Sequence, residues 1–155
     1  MKKSQFETMV DKAFWGLESK HGFKKAETAF QKHGCVIRFQ NATTEVDLNY
    51  DIGSEPWLAI VDLENPKTNR STLGWLLVEK GIDKTPAPEQ AFHLVPLEED
   101  KLEAWLQTKA QQLLDHGSDL LEGDFSLMPK LLKRAEKYEA ECKRYIAIRQ
   151  AKTKK

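Results

Sequence analysis

At 155 residues and 17.8 kDa the chain fits one compact domain, and its 40% hydrophobic and 31% charged residues are the make-up of a globular rather than a disordered protein. Basic and acidic residues number 24 each, so a formal charge of zero argues against bulk attraction to nucleic acid or an anionic membrane. Cys35 and Cys142 stand far apart with no Cys-x-x-Cys pair; they read as reduced packing residues, not a disulfide scaffold or a zinc knuckle.

Taken in chain order, Met1-Lys2-Lys3 leads to Phe6, Met9 and Val10 interrupted by Glu7 and Asp11, which is not the apolar block of a signal peptide. Ser4-x-x-Glu7 has the form of a capping box, and the spacing of Phe6, Met9, Val10, Ala13, Phe14 and Leu17 predicts a helix over residues 5–20, ended by Gly22. Residues 23–31 are weakly strand-like. His33-Gly34 is a turn signal, and Cys35 to Phe39 is rich in β-formers, so a hairpin is predicted.

After the Asn41-Ala42-Thr43 turn, Val46, Leu48, Tyr50 and Ile52 alternate with Glu45, Asp47, Asn49 and Asp51, the period-two pattern of a strand with one buried face. Trp57 to Leu63 forms a fourth strand, with Trp57, Ala59, Val61 and Leu63 on one side and Leu58, Ile60 and Asp62 on the other. Short connections favour an antiparallel meander. Ser71 or Thr72 can cap a short helix through Leu77, closed by Gly81, and a fifth strand is the other reading of that segment. The two prolines of Thr85-Pro86-Ala87-Pro88 mark a stiff connection.

Beyond it the chain turns helical. Pro96 and the acids Glu98, Glu99 and Asp100 suit a helix start, Leu102, Trp105, Leu106, Ala110, Leu113 and Leu114 make its buried stripe, and His116-Gly117 stops it. Asp124 or Ser126 then opens a last helix carrying Met128, Leu131, Leu132, Ala135, Tyr138, Cys142, Tyr145 and Ile146 at helical spacing. The longest aliphatic run, Trp75 to Val78, is far short of the ~20 residues that span a bilayer. The expected protein is cytoplasmic and α+β: an N-terminal helix, an antiparallel meander of about four strands, and C-terminal helices packed on the sheet. Residues 1–150 form its single domain and 151–155 a frayed basic tail.

Motif chemistry is sparse. Asp47-x-Asn49-x-Asp51 has the alternating oxygens of a calcium loop, but Ile52 stands where the turn needs Gly and Leu58 where the bidentate Glu belongs. His21, His33, His93 and His116 are scattered, and there is no Gly-x-Ser-x-Gly elbow, phosphate loop or dinucleotide fingerprint. No cofactor, metal site or catalytic residue is expected.

Charge is unevenly spread. Residues 39–66 hold no Lys or Arg but carry Glu45, Asp47, Asp51, Glu55, Asp62 and Glu64, while residues 128–155 carry ten bases against three acids. The bland reading of the acidic strand is a solvated polar face. The functional reading is a partner-binding ridge of Glu45, Asp47, Asn49, Asp51 and Asp62, with Leu58, Ile60 and Val36 as apolar neighbours on the same side. The bases of the last helix include pairs at i, i+4 spacing with glutamates, which makes that helix a solvated face rather than a nucleic-acid site.

Gly22-Phe23-Lys24-Lys25 after a first helix, then hairpins, then Leu120-Leu121-Glu122-Gly123-Asp124-Phe125-Ser126 before a last helix, is similar to small uncharacterised bacterial proteins, some associated with toxin immunity in contact-dependent growth inhibition. The resemblance covers the order of elements and, in residue detail, these stretches alone. It implies a protein that binds and blocks a cognate toxin, and it carries over no site residues. The expected function is therefore non-enzymatic binding of another protein, a basic toxin in its most specific form, through the acidic β-surface. The alternative is a small metal-dependent hydrolase or nuclease using Asp47, Asp51 and Asp62 or Glu64, with Lys67 and Lys80 downstream; it requires those carboxylates to converge. A third reading is an assembly element that dimerises through the last helix.

Overall fold

The computed structural model describes residues 1–92 and 95–154; His93 and Lys155 lie outside the described residues. Two helices, α1 (Lys3–Ala13) and α2 (Trp15–His21), precede the strands β1 (Lys24–Gln31), β2 (Gly34–Gln40), β3 (Thr44–Asp51), β4 (Trp57–Asp62) and β5 (Arg70–Thr72). The helices α3 (Leu73–Glu79), α4 (Glu99–His116), α5 (Ser118–Leu121) and α6 (Met128–Thr153) follow, with a 3-10 turn over Pro88–Phe92 between α3 and α4. The strands lie in sequence order and every neighbouring pair is antiparallel, so the fold is the α+β meander with C-terminal helices. The segment from residue 71 is both strand and helix: β5 ends at Thr72, whose hydroxyl then caps α3 by accepting the Trp75 N–H at 3.4 Å. Among the described residues no helix is long and apolar enough to cross a membrane.

One buried cluster joins the helices to a single face of the sheet. Phe6, Val10, Phe14 and Leu17 meet Cys35, Ile37 and Phe39 of β2, Val46, Leu48 and Tyr50 of β3, and Leu58 and Ile60 of β4, with Leu76, Leu102, Leu106 and Leu131 closing the layer. Leu58 and Ile60 therefore do not share the side of the acidic ridge. In the β3–β4 register Leu48 faces Leu58 and Val46 faces Ile60, while Asp47 faces Ala59. Full burial of a Leu or Ile is worth about 1.5–3 kcal/mol each, which decides the parity against any register that turns them outward.

Some boundaries differ from the sequence expectation for identifiable reasons. The first helix is two, because Phe14 leaves helical geometry to stack on Phe39 with ring centroids 5.6 Å apart. Its start is earlier than the Ser4 box implies: Lys2 is the cap residue, and its N–H donates to the Gln5 side chain at 3.0 Å. Ile52, assigned to the buried face, lies past the end of β3 and is 63% exposed. Helix α4 begins after Pro96, which instead bridges to Ser54, and α6 begins after Asp124 has spent its carboxylate on the Ser126 N–H. Cys35 and Cys142 are buried free thiols, and burial, reinforced by Glu7, pushes Cys35 up to about 11.

Both familiar sequence stretches serve this architecture. Gly22 takes a φ of 67° to end α2, and Gly123 a φ of 91° after α5. A Cβ at Gly123 would also stand 2.8 Å from the Thr43 hydroxyl oxygen, whereas Gly81, with φ of 75°, has open space around it. Gly123→Ala is thus expected to lower stability by about 1–3 kcal/mol and Gly81→Ala by about 1, measured as urea midpoints on the two variants.

Candidate functional site

The face of the sheet turned away from the core cluster presents alternate side chains of β1 to β5. Across its middle run Glu27, Arg38, Asp47, Ala59 and Thr72, each opposite the next in the strand register; one row toward the Asn41 turn lie Gln40, Glu45, Val61 and Arg70. On the other side, Val36, Asn49 and Trp57 form a third row. Asp51 stands at the exposed end of β3 opposite Gly34.

Asp47 sits at the centre and is only 4% exposed, although its face carries no helix residue hydrogen-bonded or ion-paired to it among the described residues. Its neighbours hide it: Ala59 and Val61 beside it are buried without belonging to the core cluster. Arg38 Nε lies 3.6 Å from one carboxylate oxygen and Arg70 Nη2 3.7 Å from the other, both beyond hydrogen-bond length, and Oδ1 has no hydrogen-bond partner. Arg38 instead spends its guanidinium on Glu27. Burial lifts Asp47 to about 7, with the neighbouring Glu45 carboxyl adding to it and the two arginines pulling back. A carboxylate held this way costs stability, because desolvation is not repaid by complete hydrogen bonding.

The structure thus brings Glu45, Asp47, Asn49 and Asp51 onto one open face and separates the other predicted residues from them. Leu58 and Ile60 are in the core. Asp62 points to the core side opposite Thr44 and closes the β4–β5 loop: its carboxylate accepts the Glu64 N–H at 2.9 Å and the Asn69 amide at 3.0 Å, and the Asn69 bond heads the causes that hold it below the ordinary carboxylate range. The convergence required by a metal-dependent hydrolase is therefore missing, and among the described residues no group of three His, Cys, Asp or Glu side chains is placed to hold a metal ion.

The ridge is also less acidic than its segment. Arg38 and Arg70 flank it from β2 and β5, so charge alternates across the sheet from Glu27 to Arg38, Asp47 and Arg70. Trp57, 48% exposed on the same face, is the other feature of this surface that sequence reasoning left out of the candidate site. The available signal was its parity: an indole at a solvent-facing strand position. No family model, no curated protein and no solved structure matches the chain.

Proposed function

We propose that the chain is a non-enzymatic binding protein that engages another protein through the outer face of its sheet, with Asp47 at the centre and Arg38, Arg70 and Trp57 around it. The observation that carries this reading is the incompletely paired, buried carboxylate on the sheet face turned away from the core cluster. A residue held there at a cost in stability has its use outside the free fold. Tryptophan and arginine are the side chains that most often dominate protein interfaces, and here both border a central desolvated group. The partner surface complementary to this face carries both signs of charge, bases opposite Glu45 and Asp51 and acids opposite Arg38 and Arg70. Neutralisation of a toxin is the most specific form of the proposal, and the family resemblance supports it.

The test is affinity capture from the source cell and co-expression with a toxin encoded beside the gene. Trp57→Ala and Arg38→Glu are each expected to weaken the partner by about 2 kcal/mol, roughly thirtyfold. Lys143→Ala, on the exposed side of α6, leaves it unchanged. A partner held undiminished by both sheet variants overturns the surface. Dimerisation through α6 has less to build on: Leu131 lies in the core, Tyr138 meets Trp75 and the Ala87 carbonyl, and Arg134 pairs with Glu79.

A further inference from the structure

Beside the sheet face lie two adjoining depressions of about 280 and 270 Å³ that share Thr72 and Gly74 at the start of α3 and Asp83 in the loop beyond its end. Trp57 and Trp105 line the first and Trp75 the second, so three of the four tryptophans, from β4, α4 and α3, border one groove. Trp75 is braced from behind by Tyr138 of α6, ring centroids 5.2 Å apart. Gly74 leaves the floor open: a Cβ there would meet nothing but the Thr72 hydroxyl oxygen, at an ordinary 3.6 Å.

We propose that this groove binds an extended segment of another protein carrying a basic side chain, which takes the place that Lys109 holds in the free protein. Lys109 Nζ lies 5.9 Å from the centre of the Trp105 ring, so that aromatic face already receives a cation. Asp83 serves both depressions and Glu55 the first, which opposes an anionic ligand; Lys84 is the other base on the rim. Two joined lobes with indole walls suit an extended backbone, the geometry in which aromatic-lined grooves read proline-bearing segments. The groove can be tested separately from the sheet face, because its variants leave Asp47, Arg38 and Arg70 untouched.

The experiment follows the indole N–H resonances of the full chain during titration with acetyl-Ala-Pro-Arg-Pro-Ala-amide and its Glu counterpart. With the Arg peptide the Trp57, Trp75 and Trp105 signals should shift saturably while that of Trp15, which lines neither depression, stays still. Gly74→Leu fills the floor at a helical position that needs no glycine geometry, so the fold persists and the Kd rises at least about tenfold. Asp83→Asn, at an exposed loop position, should raise it roughly threefold, and Lys109→Ala, which removes the competing cation, should lower it about two- to fivefold. Absence of saturable shifts, equal binding of the Glu peptide, or weaker binding by Lys109→Ala overturns the proposal. So does unchanged binding by both a folded Gly74→Leu chain and Asp83→Asn.

Discussion

Replacing Asp47 with Asn is expected to make the free protein more stable, by about 1–3 kcal/mol at pH 8, and to flatten its pH dependence. The carboxyl titrates near 7 in the fold and at its ordinary value of 3.8 in an unfolded chain. Between about pH 4 and 7 the folded protein keeps a proton that the unfolded chain has released, so raising the pH through that window removes stability. Each tenfold difference in proton affinity between the two states corresponds to about 1.4 kcal/mol, and the loss of attraction to Arg38 and Arg70 takes back part of the gain in the Asn variant. Urea unfolding of the wild type at pH 5 and pH 8 should show the fall, and the variant should show little of it. A wild type more stable at pH 8 than at pH 5, with Asp47→Asn changing nothing, would contradict the assigned environment.

Asn41→Ala should have the largest effect in the opposite direction, a loss of about 2–4 kcal/mol. Its side-chain oxygen accepts the N–H groups of Thr43 at 3.0 Å and Thr44 at 2.8 Å, while its amide donates to the carbonyls of His21 at 3.1 Å and Leu121 at 2.8 Å. Only one orientation of the amide meets two donors and two acceptors, so its surroundings settle which atom is O and which is N. This one residue ties the β2–β3 turn to the end of α2 and to α5, where Thr44 Oγ1 also donates to the Leu120 carbonyl at 2.8 Å. At about 1 kcal/mol per hydrogen bond, with half-buried partners left unpaired, the melting temperature should fall by about 10 °C. Asn41→Asp keeps the two acceptor contacts and sets a carboxylate against two carbonyls, so it should recover less than half of that loss.

The stretches Gly22 to Lys25 and Leu120 to Ser126 meet at this junction. Gly22 follows His21, and Leu121 precedes Gly123, so their residue pattern reports how helices α2 and α5 are stopped and latched to a turn. They bear on the fold, and the sheet face is built from other residues.

The alternation in β3 and β4 made the inward and outward sets of each strand legible, since side chains alternate with period two. What it left open was which set of β4 shares a side with Asp47. That depends on pairing register, and a slip of one residue exchanges the sets. Asp47 pairs with Ala59, so Leu58 and Ile60 went to the core and Trp57 to the open face. The charge of the site was illegible for a related reason. A window without bases from 39 to 66 stops one residue short of Arg38 and four short of Arg70, and the sheet sets both beside Asp47. The indole groove draws on β4, α3 and α4, elements whose meeting no local pattern announces.

The alternating charges from Glu27 to Arg70 also change what electrostatics contributes. A uniformly acidic ridge would draw a basic partner from a distance and lose much of that rate in salt, whereas a balanced face acts at contact and selects a matched arrangement. On the proposed reading, such a face supplies specificity more than speed of encounter.

The most direct measurement is the affinity of the captured partner for wild type and Asp47→Asn, set beside the unfolding free energies of the same two proteins at pH 8. If Asp47 is retained for recognition, the two quantities move apart: the variant is more stable and binds at least about tenfold more weakly. A variant that gains stability and binds the partner as tightly as the wild type would contradict the assignment of this face.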